Sequence, residues 1–208
     1  ALEIILNQTE DYGIEEVSYD QSLGRVLKED IFADRDFPPF DRVSMDGIAI
    51  PFQSFESGQR DFEIEGVQAA GSAQLTLSDA IKCIEVMTGA VLPRGTDTVI
   101  PYEQVKIKEI TATITLDEFV QFKNVHTKGK DEVQGAVVIE KNTQISSAEI
   151  GVLATVGKSI VKVAKLPKVM IISTGDELVE VSETPENYQI RRSNVHTLVS
   201  LLARFQIK

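Results

Sequence analysis

Three turns in this chain present carboxylates and a fourth presents a hydroxyl, and these are the positions whose residue types could do chemistry. Asp46 sits in Ser44-Met45-Asp46-Gly47, Asp131 in Gly129-Lys130-Asp131, and Asp176 with Glu177 directly after Gly175. Together these carboxylates offer hard oxygen ligands suited to Mg²⁺, with no sulfur or imidazole beside them. Asp-Gly is also an ordinary turn pair, so Asp46 and Gly47 have a purely structural reading as well. Met87-Thr88-Gly89-Ala90 reads either as the end of a strand or as a hydroxyl with free amides facing an oxyanion. Arg191 and Arg192 read equally as solvated charges or as guanidinium contacts to an oxyanion. Ser193 or Asn194 after them is a candidate helix N-cap, and a helix N-terminus favours anions.

The elements that must position these residues follow from hydrophobic pattern and turn chemistry. Val169 to Ile172 form a continuous apolar run within 168–174, which predicts a buried parallel strand that ends at Gly175. Ligands of open α/β sheets bind just beyond the carboxyl ends of such strands. The amphipathic run 195–203 predicts a helix. Upstream, short β-type runs at 48–52, 61–67, 81–87, 98–101, 105–110 and 111–116 predict a small barrel or sandwich. They interrupt a more helical pattern, which resumes at 123–166. There Ser146-Ser147-Ala148-Glu149 has capping-box spacing, Ile150, Leu153 and Ala154 share a face, and Gly157 is the expected stop. A strand is predicted at 159–164. Near the start, the pattern predicts a strand at 13–17, a helical turn at 19–24 and a rigid crossover at Phe37-Pro38-Pro39-Phe40.

Composition excludes several classes. The net charge of −11 argues against a nucleic-acid partner, which needs clustered Lys and Arg. No apolar run approaches the roughly 20 residues of a membrane span. The first six residues carry a glutamate and no basic leader, so they read as the cropped end of a helix and not as a signal peptide. The single cysteine, Cys83, excludes an internal disulfide and reads as a buried structural thiol. His126 and His196, the two histidines, read as surface residues.

Taken in order, Pro38-Pro39-Phe40-Asp41, Ser44-Met45-Asp46-Gly47, the 87–100 segment that opens Met-Thr-Gly-Ala, Ile150-Gly151-Val152-Leu153, Ser173-Thr174-Gly175-Asp176-Glu177-Leu178 and Arg192-Ser193-Asn194 resemble the molybdopterin molybdenumtransferase family, MoeA and the gephyrin E domain. The resemblance implies a mixed α/β multidomain protein. Residues 1–45 with 123–166 would form a discontinuous linking domain, 46–122 a β-rich insert, and 167–208 the opening of a truncated three-layer α/β molybdopterin-binding domain. It further implies a cytoplasmic homodimer that inserts molybdate into adenylyl-molybdopterin with Mg²⁺ and releases AMP, with molybdopterin adenylyltransferase as a partner. By the same resemblance Asp46 and Glu177 are catalytic, and Asp46, Asp131, Asp176 and Glu177 surround the metal. Gly47, Thr88, Gly89, Gly175, Arg192, Ser193 and Asn194 lie at the substrate.

Three positions depart from the family pattern. Ile48 stands where a tyrosine is usual, Lys130 where a glutamate is usual, and Arg192 where an aspartate is usual. The expectation is therefore a fragment, inactive alone, of a molybdenum-inserting enzyme. The alternative is a non-enzymatic dimerising scaffold of the gephyrin type.

Overall fold

The computed structural model describes residues 2–207 and divides into two compact units, Phe32–Ala136 and a discontinuous one made of Ala1–Ile31 with Val137–Lys208. In chain order the strands begin with β1 (Ile14–Ser18), β2 (Ile31–Phe32), β3 (Arg42–Val43), β4 (Gly47–Ile50), β5 (Asp61–Gln68), β6 (Lys82–Val86) and β7 (Thr98–Pro101). They continue with β8 (Val105–Lys108), β9 (Thr111–Ile114), β10 (Val125–His126), β11 (Val137–Ile139), β12 (Ile160–Ala164), β13 (Leu178–Val179) and β14 (Ile190–Arg191). The helices are α1 (Leu2–Leu6), α2 (Phe52–Glu56), α3 (Ser147–Thr155) and α4 (Asn194–Ala203).

In the unit Phe32–Ala136, the six apolar runs expected as strands are β4 to β9, and they pair into one sheet of order β7-β4-β6-β5-β9-β8. No ladder joins β7 to β8, so the sheet is open, neither a closed barrel nor a two-sheet sandwich. Alternation along each strand serves two cores, because successive side chains leave opposite faces. Ile48, Ile50, Cys83 and Ile100 pack with Phe55, Phe62 and Ile114 on one side. Ala49, Ile84, Val86 and Val99 pack with Val43, Ala90 and Leu92 on the other. Cys83 is wholly buried, and burial first, then the charges of Glu85 and Glu65, pushes its thiol up to about 12. It is a structural, unreactive thiol. Ile48 is wholly buried in the same core, so the position where the family pattern carries a phenol is here filled by packing.

The pair β5 and β6 runs parallel, with an irregularity between Ile64 and Val67, and needs a long crossover. The buried Gln68 fastens the start of that crossover. Its amide donates to Ser72 Oγ at 2.8 Å and Ala73 O at 3.1 Å, and its carbonyl oxygen accepts from Leu75 N at 2.6 Å.

In the discontinuous unit, β1 and β12 pair antiparallel, and residues 24–28 bond to 142–145 on one side and to 162–164 on the other. Leu27, Ile145, Leu153, Val161 and Val163 are the buried centre. The predicted capping box is present: the Ser146 hydroxyl accepts from Ala148 N at 3.1 Å, and Glu149 accepts from Ser146 N at 2.7 Å. Gly157 follows the helix at φ +69°, a conformation that suits glycine. Ala154, expected beside Leu153 on the packed face, is exposed, and Val156 is buried in its stead. The stretch 123–166, read as helical, holds the single helix α3 among short strands.

The strand expected at 168–174 is not formed. Met170 is 83% and Ile172 75% exposed, and Gly175-Asp176-Glu177 is a turn that precedes β13. A parallel strand exists only through its ladder partners, and among the described residues nothing pairs with this run. The helix expected at 195–203 is α4, and none of its residues is fully buried.

Candidate functional site

The short strand β3 organises the site. On one edge, Val43 N donates to Ala90 O and Gly89 N donates to Val43 O, both at 2.9 Å. On the other edge β10 pairs antiparallel, with Val125 opposite Val43 and His126 opposite Arg42, and Ser44 N donates to Asn124 O at 3.0 Å. Three segments far apart in sequence are therefore laid side by side: the Met45-Asp46-Gly47 turn, the Thr88-Gly89 turn, and the strand that leads to Asp131.

Asp46 and Thr88 meet directly. Thr88 N donates to Asp46 Oδ1 at 2.6 Å, and Thr88 Oγ1 donates to the same oxygen at 2.8 Å. The Thr88 backbone N–H first, and its hydroxyl second, hold the Asp46 carboxyl below the usual carboxylate range. Asp46 is consequently an anion with one oxygen fixed and Oδ2 uncommitted, on an exposed residue. Gly47 makes this placement possible. A Cβ there would lie 1.9 Å from the Ile100 carbonyl oxygen, so only glycine allows the backbone of β7 to approach so closely. Gly89 adopts φ +87°, the turn conformation that returns the chain to β3 after Thr88.

Two residues that the sequence did not single out join this cluster. Tyr102 N donates to Asp46 O at 3.2 Å, and the Tyr102 hydroxyl donates to Glu85 Oε1 at 3.2 Å. Burial, with the negative charges of Glu85 and then Asp46, pushes the Tyr102 phenol up to about 12. It is therefore a neutral hydrogen-bond donor at physiological pH. Its position gave no motif, because the link to Glu85 depends on register between strands.

Asp131 is held by its loop against residues 37–41, which precede β3. Asp131 N donates to Phe37 O at 2.9 Å, Gly129 N to Pro38 O at 3.0 Å, and Lys128 N to Asp41 Oδ1 at 2.8 Å. The predicted Pro38-Pro39 crossover is thus the clamp on which this loop hangs. His126 Nε2 donates to Asp131 Oδ1 at 2.8 Å. His126 is half-buried and engaged, contrary to its reading as a surface residue, whereas His196 is exposed. Lys130 is exposed.

The remaining predicted residues lie in the discontinuous unit. Gly175 (φ +145°) is followed by Asp176 and by Glu177, whose carboxylate folds back over the glycine. Glu177 O accepts from Ile190 N at 2.8 Å, which links this turn to β14. Arg192 pairs with Glu180 at 3.1 Å, and its buried Nε has no partner in the structure. Arg191 Nε donates to Glu183 O at 3.0 Å. Ser193 occupies the N-cap position of α4 but is in a helical conformation and makes no capping bond, and Asn194 is the first residue of that helix.

Among the described residues, no three or more His, Cys, Asp or Glu side chains gather in a group able to hold a metal ion. The donor chemistry nonetheless fits Mg²⁺. That ion is commonly held by one or two carboxylates, with water and substrate phosphate oxygens completing its shell, and Asp46 Oδ2 is a charged, uncommitted hard donor. No described helix is long and apolar enough to cross a membrane.

Residues 1–157 match the family model for the MoeA N-terminal region, domains I and II. The chain is 43% identical over 208 residues to the molybdopterin molybdenumtransferase of Synechocystis sp., covering 98% of this chain and 53% of that protein. It is 37% identical over 196 residues to the enzyme of the same name from Staphylococcus epidermidis, covering 92% of this chain and 46% of that protein. It therefore spans about half the length of these curated relatives. A crystal structure of the molybdopterin biosynthesis MoeA protein from Pyrococcus horikoshii superposes with TM-score 0.88 at 30% identity, covering 100% of this chain and 56% of that one. A second structure of the Pyrococcus protein gives TM-score 0.82 at 29% identity. The chain thus belongs to the MoeA family, as a match to its N-terminal region.

Proposed function

We propose that this protein takes part in molybdenum cofactor biosynthesis as a molybdenum-inserting transferase acting on molybdopterin and molybdate. The single observation that carries this reading is the Asp46–Thr88 pair. An ionised carboxylate, fixed through one oxygen and free at the other, stands on a sheet whose relatives bear the name molybdopterin molybdenumtransferase. The relatives' names give no support to the gephyrin-type scaffold.

In this reading the reaction consumes adenylyl-molybdopterin: water cleaves the phosphoanhydride, AMP leaves, and molybdate oxygen is exchanged for the pterin dithiolate. Mg²⁺, when bound, supplies positive charge to the phosphate oxygens. This chain's residues do the rest. Asp46 Oδ2 would hold the cation or orient the attacking water, while Thr88 keeps Oδ1 out of competition and the carboxyl ionised. Tyr102 stays protonated beside Glu85 and supports the Asp46 backbone. Asp131 adds a second carboxylate. Asp176, Glu177 and Arg192 to Asn194 belong to an α/β molybdopterin-binding domain that residues 167–208 open, residues 1–45 with 123–166 form the linking domain, and 46–122 form the insert. The enzyme is a cytoplasmic homodimer, served by a molybdopterin adenylyltransferase.

The test is AMP release from adenylyl-molybdopterin by a protein of the relatives' full length that carries this chain. Release should require both Mg²⁺ and molybdate and stop on chelation. Release indifferent to both, or none from folded protein, would overturn the reading.

A further inference from the structure

The contact between His126 and Asp131 has features that a solvated surface pair lacks. The imidazole side chain is 28% exposed while the carboxylate it holds is 54% exposed, so the covered group orients the open one. Both ends of the bond are anchored by backbone. His126 is in the ladder of β10 with β3, opposite Arg42, and Asp131 N is bonded to Phe37 O at 2.9 Å. An ionised carboxylate only accepts, so Nε2 carries the proton and donates it to Oδ1 at 2.8 Å. One Asp131 oxygen is thereby fixed and the other is left open. The same division occurs at Asp46, where Thr88 occupies Oδ1 alone. The strand that carries His126 is bonded to β3, and β3 runs into Ser44-Met45-Asp46.

Resting on the transferase reading above, we infer that His126 is a positioning residue, which acts through Asp131 by fixing which carboxylate oxygen faces the reaction. Partners that orient a working carboxylate from behind are worth about 10–100-fold in activity or ligand affinity when removed. The bond needs only a donor at Nε2, and the amide nitrogen of glutamine can reach a similar point. Glutamine at 126 therefore keeps the function and alanine loses it.

The experiment measures AMP release from adenylyl-molybdopterin by the full-length protein for wild type, His126→Ala, His126→Gln, Asp131→Ala and the double variant His126→Ala with Asp131→Ala, and records thermal unfolding of each. His126→Ala should lower kcat about 10–100-fold. His126→Gln should restore most of that loss. In the Asp131→Ala background, His126→Ala should cost nothing further, because a residue that acts only through the Asp131 carboxylate then has nothing left to position. A purely structural role would give losses that multiply. Multiplying losses, a wild-type rate in His126→Ala, or a folded His126→Gln no better than alanine would each overturn the inference. Wild-type protein that releases no AMP would instead overturn the transferase reading, and the inference with it.

Discussion

Two regions of this molecule carry equally suggestive sequence and fold very differently. In the unit Phe32–Ala136, the turns bearing Asp46 and Thr88 are flanked by strands buried on both faces, and their side chains meet at hydrogen-bonding distance. In residues 168–207, Met170 and Ile172 of the apolar run lie exposed, α4 has no fully buried residue, and Arg192 turns to Glu180. The difference lies in partners. A site is positioned only when the elements beneath it have something to pack against, and β4 has a strand on each side whereas 168–174 has none.

This contrast can be broken by substitution. Phe62→Ala removes a wholly buried ring and should cost about 3–5 kcal/mol. Ile172→Ala, at a residue 75% exposed, should cost less than about 0.5 kcal/mol. Denaturant unfolding of the two variants checks both, and equal losses would remove the distinction. Next in size, Gly47→Ala forces a Cβ onto the Ile100 carbonyl oxygen and should destabilise by about 3 kcal/mol, since a backbone atom cannot step aside as a side chain can. Its thermal unfolding midpoint should fall accordingly.

A smaller effect sharpens the account of the carboxylate. The folded pKa of Asp46 is lowered, so the Thr88 bonds contribute fully above the ordinary aspartate range. That contribution disappears as pH falls through the folded pKa, and neutral pH is unaffected. Thr88→Val removes the hydroxyl but keeps the backbone N–H, the larger cause of the shift. Carboxyl-carbon NMR should therefore show the Asp46 pKa rising partway toward the ordinary range, and not the whole way.

Much of this architecture was legible in the residues, for identifiable reasons. Turn chemistry bounded β4 to β9 closely, and the Ser146 box with Gly157 delimited α3, because these signals act over a few residues. Relations set by register were not legible. Nothing in the sequence said that β5 and β6 run parallel, that Tyr102 reaches Glu85, or that His126 faces Asp131 from a strand paired with β3. The run 168–174 misled for the opposite reason. Its pattern is that of a buried strand, but burial belongs to neighbours as much as to the run itself.

The most direct measurement is AMP release by full-length protein carrying Asp46→Asn, an isosteric change that keeps an oxygen for the Thr88 bonds and removes the charge. The carboxylate assignment predicts loss of about 100-fold or more in rate, with the thermal midpoint little changed. A folded Asp46→Asn protein that releases AMP at the wild-type rate would contradict it.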